Sequence, residues 1–398
     1  MMNIHERIER IRSLVRLHGV DVWMLYDFRG SNVIAQQICD VSPKAHCTRK
    51  WAVIVPREGE VVKIVSAIEA HTLAHLPCAE IQYARRSDWT QAVESVVRGC
   101  ATVAMEYSPM AAIPVVSNVD AGTVEWIRSL GPAVVSSADM AQELQAVWSD
   151  EQRQENEKTS FLVRSAMMDA MQFLGEKIRR RQLVTEYDVQ QNIVRFFEQN
   201  VLITDHDPIV AIAANAANPH YAPSVERHAP IGSDQLVLID MWAKGKSDHS
   251  TYADITWMCH TGRTPSERET SIFTIVRDAR NAAFELVCER FRAGIPLYGF
   301  EVDDAARRVI DGAGFGSYFI HRTGHNIGEQ THGSGANMDN YETHDDRRVL
   351  AGTSFSIEPG IYIPGEIGVR SEISVVIDSE GKVSVPSQPV QEEIVCLG

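Results

Sequence analysis

Leu236-Val237-Leu238-Ile239-Asp240 and Tyr252-Ala253-Asp254-Ile255-Thr256 read as two strands, each carrying one acidic residue among apolar neighbours. Burying an ionised carboxylate in such a strand costs on the order of several kcal/mol unless something compensates it. Taken alone, each aspartate fits an edge residue facing water equally well. Three further segments shift that balance. His325 lies in Arg322-Thr323-Gly324-His325-Asn326-Ile327-Gly328, where small residues let a backbone pass close to a ligand or metal. Glu358 follows Phe355-Ser356-Ile357 and precedes Pro359-Gly360, while Glu372 follows Gly368-Val369-Arg370-Ser371. Four carboxylates and one imidazole at strand ends make a metal-ligand set. One divalent ion leaves half of the four negative charges uncompensated and two ions cancel them, so a dinuclear site is expected, with ions about 3.5–4 Å apart around a bridging water. The donors are mostly oxygen and include no thiolate, which favours Mn, with Zn and Co as alternatives.

Residues 235–240, 252–258, 353–358 and 372–377 read as strands, and helical periodicity runs over about 159–181 and 186–199. Ser149-Asp150-Glu151-Gln152 pairs an N-cap residue with a glutamine three places on and predicts a helix start. Thr264-Pro265-Ser266-Glu267 predicts another, with Thr264 capping, Pro265 in the first turn and Glu267 closing the box. This ordering predicts an α+β fold in which helices cover a curved, largely antiparallel sheet. Upstream, Ile4, Ile8, Ile11, Leu14 and Val15 recur at helical spacing and Gly19 stands where a C-cap belongs. A strand is expected from Val22, a hairpin from 51–55 and 61–65 around Arg57-Glu58-Gly59, and another strand over 102–105. Those patterns predict a smaller α/β domain without a catalytic cluster. The polar run 150–158 marks a compositional shift, so domains are expected at 1–150 and 151–398. A chain of 398 residues also exceeds the size at which one hydrophobic core stops growing.

Composition narrows the partners. A formal charge of -15 argues against nucleic acid, which requires a surplus of Lys and Arg along a surface, and suits divalent cations. Met1-Met2-Asn3-Ile4-His5-Glu6-Arg7 runs directly into charged residues without the apolar core of a secretory signal, and no stretch of about 18 apolar residues occurs. Seven scattered cysteines without a CxxC pair read as reduced thiols, so a cytoplasmic location is expected.

The segments Asn218-Pro219-His220-Tyr221, Leu238-Ile239-Asp240, Ala253-Asp254-Ile255-Thr256, Gly324-His325-Asn326-Ile327-Gly328, Ile357-Glu358-Pro359-Gly360-Ile361-Tyr362 and Gly368-Val369-Arg370-Ser371-Glu372 resemble, in order, the motifs of the M24 metallopeptidases. That family includes Xaa-Pro aminopeptidase, prolidase, methionine aminopeptidase and the metal-free creatinase. The resemblance implies a pita-bread catalytic domain with a curved antiparallel sheet covered by helices, preceded by a creatinase-type N-terminal domain. It also implies that Asp240 chelates one ion, that Asp254 and Glu372 bridge both, and that His325 and Glu358 complete the second. His220, His321 and His332 match the family's histidines that contact substrate and the developing oxyanion, and Arg370 matches the arginine beside the last ligand. A homodimer is implied as well.

The expected mechanism uses a metal-bridging hydroxide, formed as the bound water's pKa falls from about 15.7 towards roughly 7. Glu358 would take the water proton and pass it to the leaving nitrogen, and His332 would donate a hydrogen bond to the oxyanion. The substrate is an Xaa-Pro peptide or dipeptide, cleaved by an aminopeptidase or dipeptidase activity; the competing enzyme reading is hydrolysis of a small non-peptide amide or amidine, and a third is a binding protein that has lost catalysis. Several positions depart from the family pattern: Met241-Trp242 after the first aspartate, a spacing of 14 between Asp240 and Asp254, Trp257, and Gly333 after His332. All are expected to line the pocket. The polar stretch 333–348 fits either a functional loop over the site or a surface excursion.

Overall fold

Ile8, Ile11, Leu14 and Val15 form the buried stripe of α1 (Ile4–Leu17), and the chain leaves that helix through Gly19 at φ 67°, a left-handed turn that glycine adopts without a Cβ penalty. The computed structural model describes residues 4–42, 44–247 and 249–398, so the opening Met1-Met2-Asn3 of the leader reading lies outside the described residues. Two compact units emerge, Met1–Gln145 and Ala146–Gly398.

In the first unit, β1 (Val22–Phe28) and its neighbours build a six-stranded mixed sheet. It pairs antiparallel with β2 (Lys50–Pro56), which pairs antiparallel with β3 (Val62–Ser66), giving the expected hairpin. Parallel pairings add β4 (Ala79–Tyr83), β5 (Thr102–Met105) and β6 (Ala133–Ser136). The near-continuous apolar run of β1 follows from burial on both faces: Trp23 and Leu25 join one core cluster, and Val22, Met24 and Tyr26 the other.

Helices α2 (Val33–Ile38), α3 (Arg86–Val97), α4 (Ala121–Ser129) and α5 (Ala138–Gln145) complete the first unit, and the second begins with α6 (Asp150–Arg179) and α7 (Glu186–Gln199). Ser149 and Gln152 cap α6 as expected, and the helix runs unbroken through 150–158, where buried Asn156 donates to the Tyr252 carbonyl. That polar run is thus the opening of a helix, and its composition reflects a solvated face.

Strands β7 (Leu202–Ile203) and β8 (Ile209–Ile212) pair antiparallel with β9 (Leu236–Gly245), which pairs antiparallel with β10 (Ala253–His260). Strand alternation sorts these residues onto two faces. Val237, Ile239, Met241, Ala253, Ile255 and Trp257 pack into the core under α6 and α7. Leu236, Leu238 and Met258 point the other way, into the core shared with α9 (Glu267–Ala293) and α10 (Gly299–Gly312). That second face turns acidic further along, at Asp240 and Asp254. The cap of α9 is Ser266, not Thr264: Ser266 Oγ accepts Glu269 N at 3.2 Å and Glu269 Oε2 accepts Ser266 N at 2.7 Å, so the helix starts two residues later than the sequence suggested. Strands β11 (Asn326–Ile327), β12 (Ser354–Ile357), β15 (Ile373–Ile377) and β16 (Val383–Ser384) form one antiparallel group in that order, β13 (Gly360–Ile363) and β14 (Ile367–Arg370) form another, and β17 (Val395–Cys396) adds parallel to β10.

Candidate metal centre

Asp240 lies opposite Thr256 and Trp242 opposite Asp254 in the β9–β10 register. Directly opposed residues share a face, so one patch of sheet presents Asp240, Trp242, Asp254 and Thr256 together. Onto it come His325, just before β11, and Glu358 and Glu372, which follow β12 and precede β15. Ligand atoms of Asp254, His325 and Glu372 lie within 4.8 Å of one another. His325 Nε2 is 3.8 Å from Asp254 Oδ2 and 3.4 Å from Glu358 Oε1. Asp240 joins through Thr256, whose Oγ1 is 2.9 Å from Asp240 Oδ1 and 2.8 Å from Glu372 Oε2. The five residues singled out from sequence therefore meet in one place.

The backbone around them is held tightly. Ser374 Oγ accepts Asp254 N at 3.0 Å and donates to Asp254 O at 2.9 Å. Ser356 links two ligands at once: its Oγ accepts His325 N at 3.0 Å and donates to Glu358 Oε1 at 3.1 Å. Gly324 has a different reason from the one read in sequence, because a Cβ there would fall 1.9 Å from the Ser356 carbonyl oxygen. The close approach is to β12, not to a ligand.

Electrostatics fit a cation. Burial, followed by repulsion from Asp240 and Glu358, raises the Asp254 carboxyl well above its ordinary range, and burial followed by Asp254 and Glu358 does the same to Glu372. Burial raises Asp240 too, although the Arg370 guanidinium opposes it. The His325 imidazole is pushed down to about 3, mainly by burial, which leaves a neutral ring able to ligate. Asp254 Oδ1 and Glu372 Oε1 are buried without a hydrogen-bond partner among the described residues. Buried carboxylate oxygens left unpaired are costly, and a divalent cation satisfies both. The donor set thus fits metal on its own chemistry.

The histidines divide. His332 packs edge-on against His325, ring centroids 4.3 Å apart. His321 is engaged at both nitrogens: Nδ1 is 2.6 Å from the Arg322 carbonyl and Nε2 2.8 Å from the Tyr362 hydroxyl. Burial pushes it down to about 4, so the neutral ring donates from Nδ1 and accepts the Tyr362 proton at Nε2. His220 lies exposed beyond α8 (Ala213–Ala216); its backbone N donates to Asn218 Oδ1, and no side-chain contact ties it to the five ligands among the described residues. Arg370 reaches Asp240 rather than Glu372: Nη2 binds Asp240 Oδ2, Nε donates to Thr256 Oγ1 at 3.0 Å and Nη1 to Tyr362 Oη at 3.1 Å.

Thr256 and Tyr362 stand inside the quoted motifs but carried no role there; only the fold reveals them as bridging groups. Asp205 escaped the sequence reading entirely. Its Oδ1 accepts Trp242 Nε1 at 2.5 Å and its Oδ2 accepts Thr331 Oγ1 at 3.1 Å. Burial raises its carboxyl, and these hydrogen bonds outweigh that and hold it below the ordinary value. Of the departures expected to line the pocket, Trp242 is on the ligand face, whereas Met241 and Trp257 sit in the opposite core because alternation points them away. Gly333 is steric: a Cβ there would meet Asn326 Oδ1 at 2.2 Å. The stretch 333–348 is anchored by buried Asp339 and Asp345, with Arg347 Nη2 on Asp345 Oδ2 at 2.6 Å.

A family model described as metallopeptidase family M24 matches residues 125–379. An Xaa-Pro dipeptidase of Lactobacillus helveticus is 34% identical over 204 residues, covering 51% of this chain and 50% of the relative. The chain spans about half the length of the curated relatives it matches. A dipeptidase structure from Mycobacterium ulcerans superposes with a TM-score of 0.72 at 22% identity, covering 99% of this chain and 98% of that one. An X-prolyl aminopeptidase structure from Caenorhabditis elegans, described as a cytosolic enzyme with a di-nuclear active site, gives 0.68 at 16% identity over 99% of this chain and 63% of its own. These structures share the fold, a mix of helices and curved sheets of the pita-bread type.

Proposed function

The chain belongs to metallopeptidase family M24, and on that premise we propose that it is a dinuclear metal-dependent exopeptidase cleaving Xaa-Pro bonds, as an Xaa-Pro dipeptidase or aminopeptidase. The observation that carries this reading is the pair of buried, unpartnered carboxylate oxygens, Asp254 Oδ1 and Glu372 Oε1, beside the neutral His325 imidazole. Asp240, Asp254, His325, Glu358 and Glu372 would hold two divalent ions, Mn by preference given the oxygen-rich donors. Bound metal would supply an activated water near neutral pH and a Lewis acid for the scissile carbonyl.

Glu358 is the proton carrier: Ser356 steadies Oε1, and the side chain keeps some exposure, so it can take a proton and deliver it to the leaving nitrogen. His332, held edge-on by His325, donates to the oxyanion. His220, on the exposed segment after α8, contacts the substrate. His321 acts as a positioning residue through Tyr362, and Arg370 orients Asp240. The unit Met1–Gln145 is the creatinase-type N-terminal domain and Ala146–Gly398 the catalytic domain. A cytoplasmic homodimer completes the reading; free cysteines throughout the described residues support the compartment.

The test is turnover of Xaa-Pro dipeptides and longer Xaa-Pro peptides by metal-loaded protein, with Glu358→Gln as control. Wild type is expected to cleave and E358Q to fall below about a hundredth of its rate, in line with loss of general acid–base catalysis. Retention of more than about a tenth at full metal occupancy removes Glu358 from the role.

A further inference from the structure

Asp205 is a carboxylate with no assigned task beside the acidic patch. The β7–β9 register ends with Ile203 opposite Lys244, and two residues further on Asp205 takes the indole N–H of Trp242. Trp242 in turn lies opposite Asp254, on the face that carries the candidate ligands. The second partner, Thr331, immediately precedes His332, whose ring rests on His325. Asp205 is therefore suspended between the strand and the loop that flank the metal centre. Its hydrogen-bond partners are an indole N–H at 2.5 Å and a hydroxyl at 3.1 Å, both neutral. The side chain remains 44% exposed, and no Lys or Arg pairs with it among the described residues; the nearby His206 imidazole, 3.6 Å away, is itself 80% exposed. Two neutral donors fix the carboxylate in place, and its one nearby basic group is the exposed His206 imidazole, so no buried cation offsets its charge among the described residues. The four ligand carboxylates differ, since two divalent ions would neutralise them.

We propose that Asp205 is the anionic anchor of the substrate cleft and binds an ammonium group of the substrate, which deepens the Xaa-Pro reading and rests on it. The ammonium can come from the substrate's amino terminus or from a lysine-type side chain before proline, and substrates separate the two. Metal-loaded wild type, Asp205→Asn and Asp205→Glu are compared on Lys-Pro, Ala-Pro and norleucine-Pro, the last matching lysine's length without its charge. Asn still offers an oxygen to the Trp242 N–H, so D205N removes the charge and keeps the scaffold.

The expected result is a KM rise of roughly tenfold in D205N with kcat little altered, the scale of losing a charge-assisted hydrogen bond, and partial recovery in D205E. A rise confined to Lys-Pro assigns the side-chain ammonium, and an equal rise on all three assigns the amino terminus. Unchanged KM, or a fall in kcat alone, overturns the proposal. In parallel, calorimetry on chelator-treated protein measures Lys-Pro binding without turnover, with about tenfold weaker binding expected in D205N. If wild type cleaves none of the three substrates, the Xaa-Pro reading fails and the calorimetric comparison alone decides Asp205: weaker binding in D205N supports the anchor, while equal or undetectable binding in both proteins overturns it.

Discussion

Thr256 illustrates how much one hydroxyl can govern. It touches Asp240 Oδ1 and Glu372 Oε2 and accepts the Arg370 Nε, so it holds two candidate ligands and their counter-charge in a single geometry. Thr256→Val keeps the β-branched shape and removes the hydroxyl, leaving buried carboxylate oxygens short of a partner. Metal affinity is expected to weaken by about 10–100-fold, the usual scale for groups that orient ligands, as read by competition with a chromogenic chelator. Unchanged affinity would mean that Thr256 merely fills space. At this scale the ligand types were legible, because acids in apolar strands and a histidine between glycines are unusual in sequence. The bridges Thr256, Tyr362 and Ser356 were not, since hydroxyls are common and their partners lie far away in the chain. Asp205 was hidden for the same reason: Trp242 and Thr331 become its neighbours only after three segments have folded together.

Among the elements, strand alternation explains both what was read correctly and what was not. The acidic strands β9 and β10 were recognisable as apolar runs that each carry an aspartate, but which residues face the site depends on register, and that sent Met241 and Trp257 to the far core. Gly324, two residues before β11, lies hard against the β12 backbone at Ser356. Gly324→Ala places a methyl on the Ser356 carbonyl and is expected to destabilise the fold by about 1–3 kcal/mol and to displace His325, so metal binding and thermal midpoint should fall together. A variant with wild-type metal affinity would show that the strand can yield without moving its ligand. Helix α9 offers a cleaner case. Ser266→Ala removes the cap and is expected to cost about 1 kcal/mol with metal binding unchanged, whereas Thr264→Ala should cost nothing comparable; chemical denaturation separates them. The sequence pattern pointed to Thr264 with Glu267 closing the box, and the reciprocal bonds between Ser266 and Glu269 move the cap two residues on.

For the whole molecule, the acidic patch links metal, protons and stability. The folded-state pKa values of Asp254 and Glu372 lie above their ordinary 3.8 and 4.5, so the metal-free native state retains protons that the unfolded chain has released. Stability of chelator-treated protein should therefore decline as pH rises from about 4 into the raised range, and divalent ions, taking the place of those protons, should flatten the decline. Thermal melts at about pH 5 and about pH 8 check this. Parallel pH profiles with and without metal would contradict it. The α+β character follows from patterns visible along the chain, but α10 was not picked out; the helix opening at Ser149 was legible from its capping pair, and the polar composition of 150–158 is that of this helix's solvated face. The most direct test of the central claim is the stoichiometry of Mn(II) bound per chain, measured by calorimetry with metal analysis, for wild type and for Asp254→Asn and Glu372→Gln. Two ions in wild type and fewer in either variant is the predicted result; no bound metal in wild type, or two ions still held after both substitutions, would contradict it.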